Sequence, residues 1–199
     1  MQAPVHVISG EEEARLSFLG TVPGGEEAMV IDIGGGSTEI IIGSGGAVRK
    51  RHSTPMGAVR ITGRFLKNSP PHAAEVSAAQ EFIAQEINKT GFGRFEGTVY
   101  AVAGTATTVA AVARGEKGYS RDSIHGYVLS AEKLHEVKDT FLSMSSTEIA
   151  GRFGIDPLRA DVISAGCLVL DGIFKSLGLR RATVSTEGLR YGIMKYMEE

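Results

Sequence analysis

The sequence predicts a single α/β domain in which helices flank a mixed central sheet, and three observations support this prediction. Runs of Val and Ile with strand character come early, and helical patterns then alternate with further strand-like runs. No internal repeat of solenoid length is present, and no linker-like segment divides the 199 residues. With 42% hydrophobic and 22% charged residues, the composition is typical of a globular protein.

The first helix is predicted just after Ser9, in the segment SGEEEARLSFLG. Ser9 is a typical N-cap residue, and Glu12 three positions later completes a capping box. Acidic side chains in a first turn also interact favourably with the helix dipole, which is one interpretation of Glu13. The other is that Glu13, on a different helical face from Glu12, projects into a cleft as a general base. The preceding segment VHVISG, residues 5–10, has strand character.

Val and Ile crowd the segment VIDIGGGSTEIIIG, residues 30–43, on both sides of a glycine-rich loop. β-Branched residues at this density predict two buried strands. Backbone N–H groups of such a loop can lie against a phosphate because no Cβ intervenes, and a tight turn within the sheet is the alternative. Asp32 and Glu39 stand at the two strand ends, as oxygen ligands for Mg²⁺ would. The candidate phosphate-binding residues of this loop are Gly34, Gly35, Gly36, Ser37 and Thr38.

A second loop of glycine and hydroxyl residues follows a later predicted strand, GTVYAVAG at residues 97–104. The alanine-rich segment after it predicts a helix whose N-terminus adds unpaired N–H groups and a partial positive charge. Two such loops in one α/β domain supply hydrogen-bond donors along a chain of phosphates. A plain strand-to-helix turn with Thr105 as the cap is the alternative. The candidate phosphate-binding residues here are Gly104, Thr105, Ala106 and Thr107.

The remaining elements follow from side-chain spacing and turn residues. Cys167 lies in an apolar helical run and is interpreted as a core residue, and because it is the only cysteine no disulfide forms within the chain. The face of this long, largely buried helix is predicted to consist of Leu158, Val162, Ala165, Val169 and Ile173. We also predict an exposed strand at 46–53, helices at 57–66, 75–88 and 130–144, a last strand at 181–185 and a closing helix at 187–197.

Composition and missing motifs exclude several classes of protein. A net charge of −2 argues against DNA or RNA binding. No apolar run reaches transmembrane length and no signal peptide is evident, so the sequence predicts a cytoplasmic protein without a membrane partner. Neither glycine loop has the spacing or the lysine of a Walker A motif, and neither matches G-x-G-x-x-G. The 5 histidines lack metal-ligand spacing.

Several motifs together resemble one family. SGEEEARL, DIGGGSTE, VAGTATT, RADVISAG and EGLRYGIM occur in the order found in the exopolyphosphatase and guanosine-pentaphosphate phosphohydrolase family, within the actin-like ATPase superfamily. The resemblance implies a ribonuclease-H-like fold, with residues 1–199 forming the second of two lobes. The first lobe and the C-terminal helical domain of longer members have no counterpart in these residues. Thr186 and Glu187 replace a pair that commonly contains an aspartate.

The resemblance also implies site residues and chemistry. Glu13 matches the catalytic glutamate, Asp32 and Glu39 match acids implicated in binding Mg²⁺, and the two glycine loops match those facing the phosphates. The implied reaction is hydrolysis of a terminal phosphoanhydride of polyphosphate, of guanosine pentaphosphate, or of both. The implied partners are the first lobe of the same protein and a second copy in a homodimer. A phosphate-binding regulatory module without turnover is the alternative function, and a small-molecule kinase is disfavoured.

Overall fold

The computed structural model describes residues 7–117 and 120–198 and confirms the predicted α/β fold with a mixed sheet. The strand-like segment at 5–10 begins outside the described residues, and residues 7–9 lead into the first helix without regular structure. The elements are α1 (Gly10–Thr21), β1 (Ala28–Ile33), β2 (Thr38–Ser44), β3 (Ala47–Thr54), α2 (Ala58–Phe65), α3 (Ala73–Lys89), β4 (Thr98–Val102), α4 (Ala103–Ala113), α5 (Arg121–Ile124), β5 (Val128–Ser130), α6 (Ala131–Leu142), α7 (Ser146–Phe153), α8 (Pro157–Leu177), β6 (Arg181–Val184) and α9 (Leu189–Glu198).

The six strands of the described chain form one sheet in the order β3-β2-β1-β4-β6-β5. β1, β4 and β6 run parallel to one another, so their carboxyl ends meet at one edge of the sheet. β2 and β3 extend the sheet as antiparallel strands on one side, and β5 does so on the other. In the β1–β2 pair Asp32 lies directly opposite Glu39. The topology therefore places both predicted acids side by side.

The sheet has a core on each face. The larger core contains side chains from α2, α3, α4, α6, α7 and α8, and it includes Cys167 as a fully buried residue, as predicted. On the other face, Phe18 of α1 packs against Val30 and Ile41. α9 then lies against α1 backbone to backbone, since a Cβ on Gly192 would come within 1.7 Å of the Leu16 carbonyl oxygen. The start of α9 also lies near Glu13, since Leu189 and Glu13 line the same small cavity.

Several predicted details differ from the structure. The long helix is confirmed as α8, but Leu158 is 80% exposed because it lies in the first turn, beyond the core. Ser9 caps α1 by accepting from the Glu12 N–H at 3.2 Å, whereas the Glu12 carboxylate pairs with Arg15 instead of closing a capping box. Three short elements were not predicted: α5, α7 and β5.

The second glycine loop is also not a loop. α4 begins at Ala103, directly after β4, so Gly104 and the residues after it form the first turn of a helix. Thr105 does not cap this helix, whose N-terminus receives no side-chain hydrogen bond. No helix in the described ranges is both long and apolar enough to cross a membrane.

Candidate active site at the carboxyl edge of the sheet

Three acidic side chains converge beside the end of β1. Glu13 of α1, Asp32 of β1 and Glu39 of β2 line a small cavity of 80 Å³. The pKa of Asp32 is raised to about 6, mainly by burial and in addition by the negative charges of Glu39 and Glu13. The Glu39 carboxylate accepts a hydrogen bond from Ser53 Oγ at 2.8 Å, which fixes its orientation. The site therefore concentrates negative charge where a cation or a proton would be stabilised.

The first glycine loop is held firmly by the N-terminus of α2. The carbonyl oxygens of Gly34 and Gly35 accept from the N–H groups of Ala58 and Arg60 at 2.9 and 3.1 Å. Gly34 itself donates to the Ser37 carbonyl, closing the turn at 3.0 Å. Gly35 and Gly36 are exposed residues, and within the described part of the chain their N–H groups donate to no protein acceptor.

Thr38 has a structural role in this loop. Its side chain is fully buried, and its hydroxyl donates to the Met56 carbonyl at 2.9 Å. A ligand at the loop would therefore meet backbone N–H groups and not the Thr38 hydroxyl.

The N-terminus of α4 opens into a larger cleft of about 710 Å³. Ala103 has a left-handed backbone with φ 65°, which lets the helix start immediately after β4. Because α4 has no side-chain cap, its first N–H groups are left for another acceptor, and the helix dipole adds positive potential there. Gly104 and Thr107 line the cleft at this point.

Arg159 is a candidate site residue that the sequence argument missed. It comes from the first turn of α8, and its guanidinium lies so close to Gly104 that a Cβ there would be 3.2 Å from Cζ. Nη1 donates to Thr108 Oγ1 at 3.4 Å, and the side chain lines the same cleft. A helix N-terminus beside an exposed guanidinium is a strong arrangement for an anion such as phosphate.

Two residues of this predicted loop, Thr105 and Ala106, do not line the cleft. Thr105 is buried beside Gly166 of α8, and Ala106 belongs to the larger core. The Thr107 hydroxyl donates back to the Ala103 carbonyl at 3.1 Å. Thr105 and Ala106 therefore offer backbone N–H groups at most, while their side chains hold α4 in place.

Asp32 joins the two halves of the site because it borders both the acidic cavity and the larger cleft. Leu189, at the start of α9, also borders both the acidic cavity and the larger cleft. The acids that sequence analysis selected thus lie next to the N-terminus of α4, although the two groups are far apart in sequence. The first glycine loop lines neither space and stands at the edge of the site.

The donor set fits a weakly coordinated, hydrated cation. In the described chain, no group of three or more His, Cys, Asp or Glu side chains is arranged to hold a metal ion by itself. Asp32 and Glu39 are nevertheless opposite each other in the β1–β2 register, and both line the small cavity together with Glu13. Mg²⁺ typically takes one or two protein carboxylates and completes its shell with water and phosphate oxygens.

The sheet has an antiparallel pair beside parallel strands, and the site lies at the carboxyl ends of the parallel strands. This arrangement defines the chain as an α/β protein of the actin-like ATPase fold. A sequence model of the Ppx/GppA phosphatase family matches residues 1–199. The chain belongs to this family.

Named relatives agree with this assignment. The chain is 34% identical to exopolyphosphatase 2 of Mycobacterium tuberculosis over 94% of its own length and 62% of that protein. It is 30% identical to a bifunctional 3-dehydroquinate synthase/phosphatase of Fusobacterium nucleatum, over 87% of this chain and 27% of that protein. A crystal structure of the Aquifex aeolicus Ppx/GppA phosphatase superposes with a TM-score of 0.88 at 34% identity, covering 94% of this chain and 63% of that one. The chain thus spans less than two thirds of the mycobacterial and Aquifex proteins, and about a quarter of the Fusobacterium protein.

Proposed function

We propose that this chain forms one wall of the active site of a phosphoanhydride hydrolase. The substrate is inorganic polyphosphate, the 5′-triphosphate end of guanosine pentaphosphate, or both. The observation that carries the proposal is the position of Asp32, with Glu13 and Glu39 on one side and the N-terminus of α4 with Arg159 on the other. One half suits the activation of water, and the other suits the binding of an anion.

Glu13 is the candidate general base. Its side chain is exposed at the acidic cavity, and α1 holds its backbone through the bond from the Glu13 N–H to the Ser9 carbonyl at 2.9 Å. In the proposed step, a water oxygen attacks the terminal phosphorus, the bond to the bridging oxygen breaks, and Glu13 accepts the water proton. A positioned base of this kind contributes about two to four powers of ten in rate.

The positive half of the site would hold the substrate. Phosphoryl transfer requires little covalent chemistry from the protein, so the main tasks are positioning and neutralisation of charge. The guanidinium of Arg159 and the first N–H groups of α4 would bind phosphoryl oxygens in the cleft. The N–H groups of Gly35 and Gly36 extend this set of donors at the edge of the site.

Mg²⁺ is the cofactor that we propose, with Asp32 and Glu39 as its protein ligands. When bound, the ion would neutralise negative charge on phosphate oxygens. Burial and the neighbouring acids raise the pKa of Asp32. The positive charge of the ion would oppose this shift and favour the ionised form of Asp32.

The rest of the proposal concerns partners. The chain spans 62% of its mycobacterial relative, and we propose that a first lobe of the same protein supplies the opposite wall of the cleft. A closed cleft excludes water and strengthens electrostatic interactions that an open surface would screen. A homodimer, a cytoplasmic location and a role in the stringent response belong to the same proposal.

The test is phosphate release by the complete protein from polyphosphate and from guanosine pentaphosphate, with Mg²⁺. We expect turnover of at least one substrate and loss of substrate affinity in Arg159→Gln, with a KM at least about tenfold higher. Arg64→Gln is the matched control, because Arg64 is an exposed arginine on α2 that packs over Phe65 and Phe82 away from the cleft.

Other outcomes would contradict the proposal. Binding of polyphosphate without any phosphate release would favour the regulatory module. Transfer of phosphate from ATP to an acceptor hydroxyl, without hydrolysis of either substrate, would favour a kinase. Equal KM values for the two arginine variants would remove Arg159 from the binding site.

A further inference from the structure

One acidic side chain lies in the cleft at a place where it opposes the proposed chemistry. Glu187 belongs to the cleft loop, residues 185–188, which follows β6 and leads into α9. The same cleft is lined by Gly104, Thr107 and Arg159, the groups that would face phosphate. An unpaired carboxylate on this wall would repel a polyanion, and the repulsion would be strongest at low ionic strength.

The structure pairs this carboxylate with an arginine from α5. Arg121 donates from Nη2 to Oε1 of Glu187 at 2.9 Å, and Glu187 keeps 26% of its side-chain surface exposed. The Arg121 guanidinium also lies over the ring of Tyr191, 5.2 Å from the ring centre. Glu187 and Tyr191 both line the cleft, whereas Arg121, which contacts them, does not.

Further hydrogen bonds fix the position of the cleft loop. The Glu187 N–H donates to Ser185 Oγ at 3.0 Å, and Thr21 Oγ1 donates to the Glu187 carbonyl at 3.3 Å. The Thr186 N–H donates to Nδ1 of His125, the residue that ends α5, at 3.3 Å. Thr186 and Glu187 thus both find partners in residues 121–125.

We propose that Arg121 is a positioning residue that neutralises Glu187 and turns its carboxylate away from the anionic substrate. This inference rests on the proposed function, since it needs a polyanion in the cleft. Arg121 acts through Glu187 and does not contact phosphate. Its removal therefore weakens substrate binding only while Glu187 is charged.

The experiment is a double-mutant cycle in the complete protein, with KM and kcat for polyphosphate measured at low and at high ionic strength. Arg121→Gln should raise KM on the order of tenfold at low ionic strength, with little change in kcat, and the effect should shrink at high ionic strength. Glu187→Gln should lower KM. The double variant should return KM close to the wild-type value, because the repelling charge is gone.

The chain offers a closely matched control pair. Arg114 and Glu116 form an ion pair at 2.8 Å with similar exposure, and Arg114 lies over Tyr127 at 5.5 Å, yet neither residue lines the cleft. Arg114→Gln should leave KM unchanged. A KM for Arg121→Gln equal to that of Arg114→Gln would overturn the inference, as would a double variant as weak as Arg121→Gln.

Failure of the proposed function gives a different result. A wild-type protein that hydrolyses neither polyphosphate nor guanosine pentaphosphate overturns the proposed function and this inference with it. Turnover by the wild type with no rescue in the double variant overturns the inference alone.

Discussion

Replacement of Asp32 by asparagine should stabilise the protein at neutral pH. In the folded chain the pKa of Asp32 rises from 3.8 to about 6, first because the carboxyl is buried and then because Glu39 and Glu13 are negative. A folded pKa above the unfolded one means that stability is lost as the pH rises through the interval between about 4 and 6. This difference corresponds to about 3 kcal/mol of unfavourable free energy above pH 6.

Asparagine removes this cost without breaking a hydrogen bond, since no bond to the Asp32 carboxylate is formed within the described chain. We expect Asp32→Asn to raise the free energy of unfolding by up to about 3 kcal/mol at pH 7.5. The melting temperature should rise by up to about 6–12 °C, and the difference should vanish near pH 4. The assay is urea unfolding and calorimetry at both pH values, with a chelator present to exclude metal binding.

Asp171→Asn is the control with the opposite sign. Burial alone would raise the pKa of Asp171, but the hydrogen bond from Lys175 and the charge of Lys138 outweigh it and lower the pKa. Asparagine there leaves the buried Lys138 without one of its carboxylate partners and should destabilise the protein by about 3 kcal/mol. An Asp32→Asn variant that is less stable than wild type at pH 7.5 would show that the buried carboxylate is not a cost to stability.

In the complete enzyme, Asp32→Asn should also weaken the Mg²⁺ dependence of activity, and an unaltered dependence would remove the metal role.

Three further predictions concern the backbone, a buried hydroxyl and the cleft. Ala103→Gly should stabilise the protein by about 1 kcal/mol in urea unfolding, because Ala103 has φ 65°; no gain would mean that this backbone is not strained. Ser17→Ala should stabilise it by about 1 kcal/mol, because Ser17 Oγ is the buried side-chain polar atom without a partner in the described chain; a clear loss would show that Oγ is hydrogen-bonded. The 199-residue chain alone should release negligible phosphate from polyphosphate, because an open cleft leaves its charges screened by water; robust turnover would contradict the need for a second wall.

Much of the acidic half of the site was predictable because its residues are close in sequence. Asp32 and Glu39 flank one loop, so any hairpin of the two strands brings them together, and the register places them directly opposite. Glu13 was identified by the motif resemblance, whereas its position beside these acids depends on the packing of α1 against the sheet. The raised pKa of Asp32 follows from that packing.

The positive half of the site was harder to predict. Gly104 and Thr107 are residue types typical of a turn, so the sequence suggests a loop here. The helix starts at once only because Ala103 adopts a left-handed backbone, which local propensity does not predict for an alanine. Arg159 lies more than fifty residues further along, and only the packing of α8 against α4 brings it over Gly104. The same reasoning explains why the pairing of Arg121 with Glu187 was not predicted.

The most direct test of Glu13 as the general base is the turnover of the Glu13→Gln variant in the complete protein, with Glu11→Gln as its control. Both acids lie in the first turn of α1, but only Glu13 lines the acidic cavity. If Glu13 activates water, Glu13→Gln should lower kcat for polyphosphate by about two to four powers of ten, with KM little changed and Glu11→Gln fully active. A Glu13→Gln protein that retains its kcat would show that Glu13 is not the general base.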